Sequence, residues 1–203
     1  MQPFRPTRGG GARAWLAAAE ASLLRSLVGQ IMTLIAADEP GRPVGPQDDS
    51  VAAEIDALEA LLRESGPAGT QGPQGIRGPR PAPEDPVLAR LLPDGYRDDP
   101  EAAGEFRKYT EPALRSAKQQ AAQEMLDTLP DAGGRIQLSH EQAEAWLKAL
   151  NDVRLALGVR LDVTEDFEEQ WARLDTQDPR WAAFEVYAWL GAVQESLVQA
   201  LAR

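Results

Sequence analysis

Apolar residues return at three- and four-residue intervals through several long stretches of this chain, and that period restricts it to a mostly α fold. Leu23, Leu27, Ile31 and Leu34 make one stripe, with Leu24, Val28 and Ile35 beside it. The helical period begins at about Ala17 and is broken by Pro40, Gly41 and Pro43. Leu114, Ala117, Ala121, Met125 and Leu129 make a second stripe that ends at Pro130, and Trp146, Leu150, Val153 and Leu157 a third, with Gly158 as its stop. The last comprises Val186, Leu190, Val193, Leu197 and Leu201, flanked by Trp181, Phe184 and Trp189, after Asp178 as cap and Pro179 as first residue. Stripes this wide face a core. A chain of 203 residues can bury on the order of 70% of its surface, so it needs no covalent staple and is expected to fold as a single domain over 1–203.

Two segments carry strand signals instead. Ala12, Ala14 and Leu16 alternate with Arg13 and Trp15 after the Gly9-Gly10-Gly11 hinge, and Arg135-Ile136-Gln137-Leu138 follows the Gly133-Gly134 turn. A lone short strand is unstable in water, so these N-terminal and central strands are expected to pair with each other. Residues 1–11 read as a flexible tail.

Capping residues place the shorter helices. Ser50 starts one with Ile55, Leu58 and Leu62 on its apolar face, and Asp85-Pro86 starts another over 87–92. Asp99-Pro100 opens a helix over 101–109, after which Thr110 reads as the cap of a separate helix over 111–129, with Glu111 and Pro112 in its first turn. Ser139 and Gln142 have capping-box spacing. Between 66 and 83 the chain is rich in Gly and Pro, and Gly66, Gly69, Gly72, Gly75 and Gly78 fall in strict period three. The register is collagen-like, but five triplets are too few to hold three chains together, so the tract reads as a linker or insertion.

Charge and residue inventory then exclude chemistry. With 32 acidic and 21 basic residues the formal charge is −11, which repels nucleic acid and anionic membrane unless the basic groups are segregated. One such patch exists, Arg5, Arg8 and Arg13 before any acidic residue, and three arginines read as a solvated tail more readily than as a nucleic-acid arm. No Cys is present, which removes thiolate catalysis and Cys-based zinc, and fits a cytoplasmic protein. The apolar run over 15–37 is broken by Glu20, Arg25 and Gln30, so neither a membrane span nor a secretory signal is expected. The single His140 sits beside a capping Ser139 and reads as a first-turn residue. Asp162, Glu165, Asp166, Glu168 and Glu169 lack the turn glycine of an EF-hand and read as a solvated helix face, and Asp98 and Asp99 are accounted for by capping. No phosphate loop, dinucleotide fingerprint, serine elbow or zinc helix motif occurs. Catalytic residues, a metal and a cofactor are therefore all expected to be absent.

Two polar clusters resist a purely solvated reading. Glu105, Arg107, Lys108, Glu111 and Arg115 stand three or four apart, and Asn151, Asp152 and Arg154 sit within an apolar-periodic helix. A buried charge needs a partner, so Arg154 is expected to be buried and paired with Glu105 or Asp152, in an ion-pair network joining the clusters. A ligand or partner site is the competing reading. In the last helix Trp181, Phe184, Tyr187 and Trp189 spread over more than one face, which points to deep burial or to an interface, with a protein partner or a second copy of the chain.

The same residues carry a resemblance. LLPDGYRDDPEAAGEFRKYTEPALRSAK, WLKALNDVRLALGVRL and DPRWAAFEVYAWLGAVQESLVQAL, with the earlier QIMTLI, resemble DUF2017, an actinobacterial family of uncharacterised function. The likeness covers nearly the whole chain and leaves out the collagen-like tract. Members are often encoded near a Clp-protease adaptor and a JAMM-type metallopeptidase, and some are labelled transcriptional regulators. The resemblance thus implies a tie to regulated proteolysis or transcription and brings no catalytic residues. The reading that follows is a non-enzymatic cytoplasmic interaction or regulatory protein with a protein partner. A DNA-binding regulator is the first alternative, since 102–109 and 111–129 have helix-turn-helix spacing, although the second of these carries a net charge of −1. An enzyme with an arginine or carboxylate site is the second alternative.

Overall fold

A computed structural model describes residues 2–37, 79–96, 98–175 and 177–202. In chain order the elements are β1 (Gln2–Pro6), β2 (Ala12–Leu16), α1 (Ala18–Ala37), α2 (Pro86–Leu91), α3 (Pro100–Thr128), β3 (Gly134–Leu138), α4 (His140–Arg160), α5 (Phe167–Ala172) and α6 (Trp181–Leu201). The fold is mostly α, with one antiparallel sheet in the order β1-β2-β3. The helix expected after Ser50 and the part of the Gly/Pro tract before residue 79 lie outside the described residues.

The two expected strands pair, in a register running from Ala12 opposite Leu138 to Leu16 opposite Gly134. Their alternation sends Ala12, Ala14, Leu16, Ile136 and Leu138 into the core. A third strand corrects the expectation of a flexible tail, because Gln2–Pro6 is β1, paired with β2. The reason is Phe4. Its ring is only 5% exposed and meets Trp146 edge-on, with centroids 5.8 Å apart. Its N–H donates to Ser196 Oγ at 3.3 Å. The glycines act as a tight hairpin: Thr7 N–H donates to the Gly11 carbonyl at 2.9 Å and Gly10 takes φ 76°. A Cβ at Gly11 would overlap the Leu138 carbonyl oxygen.

The core lies between the sheet and helices α1, α2, α3, α4 and α6. In α1 the buried residues are Ala21, Leu24, Val28, Ile31 and Ile35, so the line expected to flank the stripe is its centre. Helix α4 begins with both halves of the Ser139–Gln142 capping box. It buries Trp146, whose indole N–H donates to Thr128 Oγ1 at 2.7 Å. Gly158 does not stop α4, which continues to Arg160. A Cβ there would stand 3.4 Å from the Tyr187 ring, so the small residue lets α6 come close. Asp178 accepts from Arg180 N at 2.8 Å and turns the chain into α6, which begins two residues beyond the expected Pro179.

Residues 100–128 form one helix, not two, so the helix pair expected at 102–109 and 111–129 does not exist. Thr110 does not cap. Its hydroxyl donates to the Phe106 carbonyl at 3.0 Å, within the helix. Pro112 removes one N–H from the helix and is itself exposed. Helix continuity across it is enforced from the opposite face, where Arg107, Glu111 and Arg115 are buried at successive four-residue steps.

Candidate functional site

Glu111 is 2% exposed and surrounded by guanidinium groups. Arg115 Nη2 lies 2.6 Å from its Oε1, Arg80 Nη2 2.9 Å from the same oxygen, and Arg107 Nε 3.9 Å from Oε2. Arg115 Nη1 also donates to the Ile35 carbonyl at 2.6 Å, which ties α3 to the end of α1. Arg107 pairs with Asp94 and donates to the Arg80 carbonyl. Arg80 N–H donates to the Gly104 carbonyl at 3.1 Å, and a Cβ on Gly104 would strike Pro79. The last residues of the Gly/Pro tract are thus fastened to α3 by backbone and charge together. A cavity of about 530 Å³, lined by Arg80, Pro83, Asp85, Leu88 and Glu111 among others, opens beside this cluster.

The second cluster divides. Asp152 is buried on α4 and accepts from Lys118 Nζ at 2.6 Å, which joins α3 to α4. Burial pushes its pKa up, and the Lys118 hydrogen bond and charge pull it back only in part. Asn151 is exposed on α4, and Glu105 is exposed on α3.

Arg154 corrects the expected pairing, for it meets neither Glu105 nor Asp152. It lies across α6 where Gly191 leaves room, its Nη1 donating to Gln194 Oε1 at 2.8 Å and its Cζ 5.1 Å from the Tyr187 ring centroid. Asp152 is two residues away on α4 and is turned toward α3. Among the described residues Arg154 has no carboxylate partner, and its buried Nε has no acceptor. It lines a cavity of about 430 Å³ with Arg90, Asn151, Gly158, Asp162 and Tyr187. That is the size of a small-ligand site, with two guanidiniums and one carboxylate at its wall.

The aromatic residues of α6 have separate roles. Phe184 is fully buried and stacks on Phe167 at 5.8 Å, while Tyr187 touches Phe167 at 5.0 Å. Trp181 meets Trp171 at 5.7 Å, and Trp189 packs half-buried against the core. Trp181, Phe184 and Tyr187 thus meet α5, which lies against the start of α6, while Trp189 meets the core.

Sequence reasoning offered Glu105, Arg107, Glu111, Arg115, Asn151, Asp152 and Arg154 as one polar network; among the described residues the buried charged side chains are Arg107, Glu111, Arg115 and Asp152, while Glu105 and Asn151 are exposed and Arg154 is half-buried. It missed Arg80, Asp94, Lys118, Arg90 and Gln194. Each lies in another element or in a polar loop, so no local spacing marks it. Among the described residues no group of three His, Asp or Glu side chains could hold a metal ion, and no helix is long and apolar enough to cross a membrane.

Comparison with known proteins identifies the chain by family. A model of DUF2017, described as a domain of unknown function, matches residues 1–201. Proteins of Mycobacterium bovis and Mycobacterium tuberculosis named oxidative stress regulator AosR are 38% identical to it, over 93% of this chain and 81% of theirs. A Mycobacterium leprae relative whose name also includes AosR is 36% identical, over 93% of this chain and 82% of its own. No solved structure matches. The chain belongs to the DUF2017 family.

Proposed function

We propose that this chain is a non-enzymatic cytoplasmic regulator of the response to oxidative stress, acting by contact with a protein partner. The carrying observation is the 38% identity, over 93% of the chain, with proteins named for that regulation. The chain has no cysteine, so an oxidant signal would reach it through another molecule rather than through a thiol of its own. A tie to Clp-type proteolysis rests on the family resemblance alone. A DNA-binding regulator remains the alternative to test, but continuous α3 removes the helix pair on which it stood, and the formal charge of −11 opposes it.

The cavity beside Arg154 favours a second reading, an effector site for a small anion within the same regulator, and it is also where an enzyme of the arginine class would have its centre. Fluorescence titration against duplex DNA at two salt concentrations, with native-lysate pull-down read by mass spectrometry before and after peroxide, separates these readings. The proposal expects weak, salt-sensitive DNA binding and a protein captured specifically and in a peroxide-dependent way. Sub-micromolar, sequence-selective DNA binding would contradict it.

A further inference from the structure

The outer face of the sheet carries charge that nothing in the described fold uses. Alternation along the strands turns Arg5, Arg13, Trp15, Arg135 and Gln137 to solvent while the other residues of β2 face the core. The register sets Arg5 directly opposite Arg13 and Trp15 directly opposite Arg135. Like charges opposite each other in an antiparallel pair are destabilising, so the fold alone would favour a carboxylate at one of these places. None of the three described strands contains an acidic residue, and among the described residues none of the three arginines has an ion-pair partner. Arg8 stands exposed in the adjoining hairpin, and Trp15 is 46% exposed. In a chain of formal charge −11 this is a segregated basic surface with an aromatic side chain within it.

The structure therefore unites two things that are far apart in sequence: the early arginines, and Arg135 on the central strand. We propose that the outer face of the β1-β2-β3 sheet docks an acidic segment of a protein partner, with Arg5, Arg13 and Arg135 pairing with its carboxylates and Trp15 taking an apolar side chain between them. The inference rests on the reading of the chain as a regulator that acts by protein contact. Trp and Arg are the residues that most often dominate such interfaces. A cavity of about 370 Å³ lined by Arg5, Arg13 and Gln199, between β1 and the end of α6, adjoins the face and has room for a carboxylate side chain. A nucleic acid fits less well. Three or four phosphate contacts give little affinity at physiological salt, and a long polyanion would extend from this patch over the acidic remainder of the surface.

The test is fluorescence anisotropy with a labelled peptide of Glu and Asp around one central Leu. The comparisons are its Gln/Asn counterpart and single-stranded oligothymidylate of equal charge. The expected result is saturable binding of the acidic peptide that weakens with salt and falls at least about tenfold in Arg13→Glu/Arg135→Glu, with a smaller loss in Trp15→Ser. Arg13→Glu places a carboxylate opposite Arg5, so the double variant should melt no lower than the parent, and circular dichroism checks this. The proposal is overturned by no saturable peptide binding, by equal binding to the variant or to the neutral peptide, by tighter binding of oligothymidylate, or by self-association of the parent that the variant loses. The regulatory reading has its own readout, the transcript response to peroxide, so either can fail while the other stands.

Discussion

Lys118 Nζ stands 2.6 Å from Asp152 Oδ1, and this one contact fastens the middle of α3 to the middle of α4 with both side chains largely out of water. Removing a carboxylate from water costs more than this single lysine returns, so the Asp152 pKa lies above the ordinary 3.8. The folded protein therefore holds the proton more strongly than the unfolded chain does. From about 3.8 up to the raised folded value, stability contributed at this site falls as pH rises.

Urea denaturation of the parent and of Asp152→Asn across that interval tests the sign. The parent should lose stability relative to the Asn variant as pH rises. A relative gain would show that the pair is net stabilising.

Glu111 is a buried carboxylate shared by three guanidiniums. Glu111→Gln removes the carboxylate that Arg80, Arg107 and Arg115 converge on, leaving Arg107 its pairing with Asp94, and should cost roughly 3–5 kcal/mol in urea denaturation. A loss below about 1 kcal/mol would show that the cluster is open to solvent.

Arg154→Met strands no carboxylate. It removes one hydrogen bond to Gln194 and one contact with the Tyr187 ring, so a loss of about 1–2 kcal/mol is expected, well below that at Glu111. A loss of several kcal/mol would mean that an acid partner exists after all.

Phe4→Ala should cost about 3–5 kcal/mol, because the ring fills the core against Trp146. A change within about 0.5 kcal/mol, the usual range for a surface substitution, would return residues 2–6 to the status of a tail.

What could be read from the sequence was what neighbours in the chain decide. Asp85, Asp99 and Ser139 were legible as caps because a cap bonds to N–H groups two or three residues on. β2 and β3 were legible from their alternation. Where distant groups decide, local rules fell short. Thr110 and Pro112 read as a helix start, yet buried Arg107, Glu111 and Arg115 hold the helix through them. Phe4 stands alone between prolines and shows no period, so only its contact with Trp146 reveals β1. At the candidate site Arg107, Glu111, Arg115 and Asp152 were legible as polar-network members from their spacing, although burial was expected only of Arg154, which is half-buried. The partners Arg80, Asp94 and Lys118 were not legible, since nothing near them in sequence fixes where they fold to. Arg154 was assigned an acid on the general rule that buried charge is paired, whereas Gly191 gives it a bed beside Tyr187 and Gln194.

The central claim is regulation of the response to oxidative stress. Its most direct test is transcript profiling after peroxide in cells lacking this chain, compared with the same cells in which it is restored. The account predicts a defined set of transcripts whose peroxide response is lost in the deletion and returns with the restored chain. Identical responses in both would contradict it.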